Sequence, residues 1–146
     1  LGRRLVLLDI DCIILEDITA LIQGKTADFV GWADPSFGWS KVAGGFWALT
    51  AGSHPEVWEQ FDAQTSPAVA QAAGHQGSDQ AWLSYMLHPP RQAWTSKDGV
   101  IKINWLGKAG RHPPPGIKMI FTIGTDPPWN AAMQVGHRWI AEHWHL

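Results

Sequence analysis

A chain of 146 residues with 45% hydrophobic and 16% charged residues has the balance of a globular domain, which excludes a disordered or coiled-coil class. Its 11 Lys and Arg against 13 Asp and Glu leave a net charge of -2, so no general field recruits nucleic acid or an acidic membrane surface. The single cysteine, Cys12, excludes an internal disulfide and a cysteine-cluster zinc site.

A chain this long buries roughly 68% of its extended surface on folding, enough for one domain over residues 1–146 to build a core without staples. No apolar run approaches the ~20 residues of a membrane span, and the apolar stretch after Arg3 and Arg4 is cut short by Asp9, too early for a signal sequence. A cytoplasmic protein that does not span a membrane is expected. The chain begins at Leu1 rather than methionine and enters an apolar strand pattern at once, which points to a missing N-terminal portion.

Residues 4–15 are apolar on both alternating faces, the pattern of a parallel strand covered on both sides. Asp17 caps a short helix over 17–22 that closes near Gly24, and 27–32 is the next strand. Residues 34–38 form a loop, and 46–50 read as another buried strand. Ser53 and Glu56 have the capping-box spacing that launches a helix through Phe61. Ser66 and Pro67 begin a second helix that stops at Gly74, and Ser78 caps a third that ends at Pro89 and Pro90. Residues 94–115 form a Gly-, Pro- and Lys-rich loop with a weak strand at 100–105, and 117–123 is the last strand. After the turn over 124–128, Asn130 caps a final helix carrying Met133, Trp139, Ile140 and Trp144. Alternating strands and helices make an α/β layer fold.

Asp9 and Asp11 lie two apart, so on an extended strand they share one side, at the carboxyl end of a buried run where open α/β sheets bind ligands. Two carboxylates repel each other unless a cation neutralises them, and such hard oxygen ligands suit Mg²⁺ or Mn²⁺ bridging to a diphosphate. The bland alternative is a polar strand end that caps a helix. Asp79 heads the third helix on the stripe of Trp82, Leu83 and Met86, where it faces a pocket or acts as a first-turn acid on the helix dipole. Gln80 does not titrate but hydrogen-bonds a hydroxyl-rich ligand. Gly44 and Gly45 precede an apolar strand, where missing side chains allow a ligand close approach or permit a bulge.

Ten tryptophans are far above ordinary usage, and flat rings with an N–H handle suit stacking on sugar faces. Trp47, Trp58, Trp82 and Trp139 fall on apolar stripes and are expected in the core, whereas Trp39 and Trp129 sit in loops and are the better ligand candidates. His137, His143 and His145 are a further metal possibility, but on a helix His143 and His145 do not share a face. A hydrolase with paired acids ranks low, because acids two apart on one strand do not flank a scissile bond.

In chain order, Leu8-Asp9-Ile10-Asp11, Ile14-Leu15-Glu16-Asp17-Ile18, Gly44-Gly45-Phe46, Gly77-Ser78-Asp79-Gln80 and Gly124-Thr125-Asp126-Pro127-Pro128-Trp129 resemble the GT-A nucleotide-sugar glycosyltransferases, family 8 in particular. The resemblance spans nearly the whole chain and implies a GT-A-like mixed sheet flanked by helices. It implies that Asp9 and Asp11 bind Mn²⁺ or Mg²⁺ and the donor diphosphate, and that Gly44 and Gly45 line the sugar pocket. Asp79 and Gln80 would orient the donor sugar as the catalytic pair, and Gly124 and Trp129 would belong to the turn that closes over the phosphates.

The sequence departs from that family at several places. Ala43 and Gly44 stand where Asn and Ser or Thr are usual, Phe121 stands near the place of a metal-binding histidine, and Pro127 takes a lysine's place. The segment that would hold the nucleotide base before Asp9 is only a few residues long. Two readings follow: a metal-dependent glycosyltransferase of the hexosyltransferase type, or its catalytic portion, with a nucleoside diphosphate sugar donor and an unknown glycan, protein or lipid acceptor; or a non-catalytic carbohydrate-binding remnant of one.

Overall fold

The structure, a computed structural model, describes residues 2–33, 42–76, 79–107, 111–122 and 127–144. The expected loop residue Trp39, the cap Ser78 and the turn glycine Gly124 lie outside them. In chain order the elements are β1 (Arg4–Leu8), β2 (Cys12–Ile14), α1 (Thr19–Gln23), β3 (Phe29–Trp32), β4 (Ala43–Thr50), α2 (Glu56–Glu59), α3 (Ser66–Ala72), α4 (Asp79–Leu87), β5 (Gln92–Trp94), β6 (Val100–Lys102), β7 (Met119–Phe121), α5 (Ala131–Gly136) and α6 (Trp139–His143). Short 3₁₀ turns cover Ser96–Asp98 and Ile103–Leu106. The chain divides into two compact units, Leu1–Leu8 with Ile22–Trp94, and Asp9–Leu21 with Thr95–Leu146.

The first unit is built on a four-stranded sheet in the order β1-β4-β3-β5. β1 and β3 run antiparallel to β4, and β5 runs parallel to β3. The continuous apolar run over 4–15 is therefore not one covered parallel strand. It breaks after Leu8, and its first half is an outer antiparallel strand that alternates between half-buried and exposed residues, with Leu5 and Leu7 facing water. Apolar content alone does not separate these cases, because β1 places Leu on both faces.

The core of this unit is anchored by Phe46 stacked on Trp94 at a centroid separation of 3.8 Å and 12° between planes. β3 is buried along its whole length. Opposite it, the register of β4 shifts between Gly31 and Trp32, so Gly44, Gly45 and Phe46 lie in a bulge of β4. The expected capping box at Ser53 is absent: the Ser53 hydroxyl donates to the Thr50 carbonyl at 2.7 Å, and α2 starts behind Pro55 without a side-chain cap. α4 turns Ala81 and Ser84 inward, and Asp79 is exposed, so the stripe expected from Trp82, Leu83 and Met86 is rotated away from full burial.

The second unit has a three-stranded sheet, β2-β7-β6, with β2 antiparallel and β6 parallel to β7. Its core joins Ile13, Ile101, Ile103, Leu106, Ile120, Trp139 and Ile140. Asp17 caps α1 by accepting the Thr19 N–H at 2.8 Å, and Asn130 caps α5 by accepting the Ala132 N–H at 2.8 Å, as the sequence predicts. The single final helix does not form. It breaks at His137 into α5 and α6, which lets Trp139 and Ile140 enter the core and the Trp139 indole N–H donate to the Arg111 carbonyl at 3.0 Å.

Two predictions follow from this packing. Gly99 has φ +83°, and a Cβ there would collide with the Gly116 carbonyl, whereas Gly116, at φ +85°, has open space around it. Gly99→Ala should therefore lower stability by ~1–3 kcal/mol more than Gly116→Ala in parallel thermal melts, since only the first adds a backbone clash to left-handed strain. His137 is buried with its Nδ1 unpartnered, and burial holds its pKa below the ordinary 6.5. The unfolded chain then binds the proton more readily, so stability is full above 6.5 and is lost as pH falls below it. Melts from about pH 7 to about pH 5 should show that loss, and His137→Gln should flatten it.

Candidate functional site

In the first unit, three of the residues singled out in the sequence come together. The Gly44 N–H donates to Gln80 Oε1 at 3.2 Å, across a sequence separation of 36 residues. A Cβ placed on Gly44 would lie 3.5 Å from the Gln80 Cβ and 3.7 Å from Asp79 Oδ1. Glycine thus keeps a side chain's worth of space open beside the carboxylate and the amide. Asp79 Oδ1 also accepts the Gln80 N–H at 2.9 Å. Gly45, next along the bulge, is buried in β4. Of the two uses of this glycine pair weighed in the sequence, close approach of a ligand or a bulge, the register shift shows the bulge.

What positions this cluster is a residue the sequence did not flag. Ser84 is fully buried, and its Oγ accepts the Val42 N–H at 3.0 Å while its hydroxyl donates to the Val42 carbonyl at 3.2 Å. That reciprocal pair fastens α4 to the start of β4, one helical turn from Gln80 and two residues from Gly44. A serine inside a helix is an ordinary feature of sequence, and only the absence of a helix-favouring reason for it was a signal. With Oε1 accepting from Gly44, the donors of the Gln80 side chain are its amide N–H₂ group.

Asp9 and Asp11 lie in the second unit, in the turn that links β1 to β2 rather than on an extended strand. Asp9 and Ile10 are exposed and Asp11 is half-buried. Thr122, at the end of β7, holds this turn: its N–H and its hydroxyl both donate to the Asp11 carbonyl, at 3.1 and 2.9 Å. The backbone of Asp11 is therefore fixed independently of its side chain. The neighbouring Cys12 registers the local charge. Burial first, then the Asp11 carboxylate and more weakly Asp9, push its thiol up to about 11.

Two carboxylates on this turn are hard oxygen donors of the kind that would suit Mn²⁺ or Mg²⁺. Among the described residues no group of three or more His, Cys, Asp or Glu gathers to hold a metal. Phe121, near the place where the resemblance expects a histidine, is a buried strand residue opposite Cys12. His137 is buried beside Trp139 at a ring separation of 5.9 Å. Trp129 is 43% exposed and leans on Trp144, 5.9 Å between centroids. Gly124 lies outside the described residues. No helix among the described residues is long and apolar enough to cross a membrane.

No protein-family model and no curated protein sequence matches the chain. In fold it is similar to a galactosyltransferase, LgtC, whose crystal structure is a complex with donor and acceptor sugar analogs, at a TM-score of 0.61 and 17% identity. The likeness covers 95% of this chain, which spans 59% of that one. At this identity the match speaks for the fold, in agreement with the mixed sheets and flanking helices described above: the chain has a GT-A-like α/β fold.

Proposed function

We propose that the chain is a metal-dependent glycosyltransferase of the hexosyltransferase type, or its catalytic portion, acting on a nucleoside diphosphate sugar and a glycan, protein or lipid acceptor in the cytoplasm. The observation that carries the reading is the convergence of Gly44, Asp79 and Gln80, which the sequence resemblance assigns to the donor sugar. The likeness of fold to a galactosyltransferase supports it.

In this reading Asp9 and Asp11 hold Mn²⁺ or Mg²⁺, which when bound stabilises charge on the departing diphosphate. Gly44 and Gly45 leave room for the sugar ring against β4. Gln80, its Oε1 anchored by the Gly44 N–H, directs its amide donors at a sugar hydroxyl, and the Asp79 carboxylate accepts from another. Gly124 and Trp129 would complete the turn over the phosphates. The burial of Phe121 favours the second reading, a carbohydrate-binding remnant, since a metal ligand is replaced by a core residue.

Thermal melts separate the two. Mn²⁺ with UDP should raise the melting temperature, by about 2.7 kcal/mol of stabilisation at a hundredfold excess over Kd. Asp11→Ala should abolish that shift while leaving the unliganded fold intact, because Thr122 holds the Asp11 backbone rather than its carboxylate. No shift with any nucleoside diphosphate would leave the remnant reading standing. Gly44→Ala should be neutral in stability within about 0.5 kcal/mol, since its Cβ meets only ordinary contacts. Titration calorimetry should nonetheless show about tenfold weaker binding of a UDP-hexose, with UDP itself unaffected.

A further inference from the structure

Beside Asp79, still within the first unit, lies a cavity of about 450 Å³ whose walls include Trp47, Trp58, Phe61, Trp82 and Leu83. Among the described residues Asp79 is the only charged one in its lining. Trp58 is 80% exposed and Phe61 43% exposed, an unusual cost for large rings unless something covers them. The walls are braced. The Trp82 indole N–H donates to the Val57 carbonyl at 2.8 Å, and Phe61 meets Trp82 edge-on at 5.8 Å. α2, which carries Trp58, has no buried residue of its own and is held in place by this hydrogen bond to α4.

We propose that this cavity is an acceptor subsite that takes a neutral saccharide ring, stacked on Trp58 and Phe61 with one of its hydroxyls donating to Asp79. The proposal rests on the glycosyltransferase reading above and names a place for the acceptor. A sugar presents an apolar C–H face and a hydroxyl edge together, which is what aromatic walls with a single carboxylate match. A plain alkyl chain would strip water from Asp79 without replacing its hydrogen bonds. An ammonium group also suits rings and an acid. The saccharide is preferred because Asp79 belongs at once to this cavity and to the cluster beside Gly44, so one carboxylate would touch both the donor sugar and the acceptor.

The test uses the whole chain without metal or nucleotide, titrated with methyl β-galactoside, lactose, maltose and cellobiose while tryptophan fluorescence and calorimetry are followed. At least one sugar should give a saturable change, weakened about tenfold by Trp58→Ala, whose exposed side chain the fold does not need, and also weakened by Asp79→Asn. Saturable binding that Trp58→Ala leaves unchanged would overturn the proposal. So would the absence of binding by every sugar, or equal binding by tetramethylammonium or hexanol. The Mn²⁺ and UDP melt distinguishes the two failures: a nucleotide shift in the unsubstituted chain, with no sugar bound by that chain, sinks the subsite alone. Sugar binding with no nucleotide shift sinks the donor reading and leaves the cavity as a saccharide site.

Discussion

One buried hydroxyl sets the geometry on which the candidate sugar site depends. Ser84 answers both backbone groups of Val42, and Val42 is itself fully buried, so neither group has water to turn to. Each, if orphaned, would cost about 1–3 kcal/mol. The register between α4 and β4 is thereby fixed at one point, and a helix fixed at one point and packed along its length cannot slide by a residue. Gln80 then falls opposite Gly44, and the hydrogen bond between them is a consequence of that register rather than its cause.

The turn bearing Asp9 and Asp11 follows the same logic with different chemistry. A segment carrying two like charges has no reason of its own to stay ordered, and its middle residue, Ile10, is 77% exposed. Order comes from the backbone: Thr122 spends both its donors on the Asp11 carbonyl, and Cys12 and Ile13 immediately afterwards are buried in β2. The Thr122 donors engage the backbone of Asp11 and not its carboxylate. A ligand at the Asp11 carboxylate, as the proposed metal site would have it, would leave these anchoring bonds intact.

Much of the architecture was legible where local chemistry determines it. The caps at Asp17 and Asn130 formed because an acceptor side chain two residues before an unsatisfied N–H is a purely local arrangement. Sequence reasoning went astray where partners distant in the chain decide. The run over 4–15 was split between two sheets by pairing with β4 and β7, and His137 broke the last helix so that Trp139 could be buried. Ser53 had the spacing of a capping box, but the Thr50 carbonyl claimed its hydroxyl first. In the candidate site, the chemistry-bearing residues could be named from the sequence. Their supports, Ser84 and Thr122, could not, because a lone serine or threonine says nothing until the strand it will meet is known.

The tryptophans make the sharpest case for reading composition through burial. Their abundance suggested stacking on sugars, yet Trp94 and Trp139 are packed in the two cores, where Trp94 stacks on Phe46 and the Trp139 indole N–H meets the Arg111 carbonyl. An apolar stripe placed Trp58 with them, and the structure puts it 80% in water. The difference lies in the helix that bears it: α2 is a four-residue turn with no buried residue, so periodicity over so short a span carries no information about depth. A large ring that gains nothing from the core still has to be kept out of nonspecific contacts, and the bracing of α2 through Trp82 and Val57 holds it at one rim of a cavity. Stability is a poor account of that arrangement, because an alanine at position 58 would expose less apolar surface. The proposed saccharide, by covering the ring, would account for both its exposure and its fixed position.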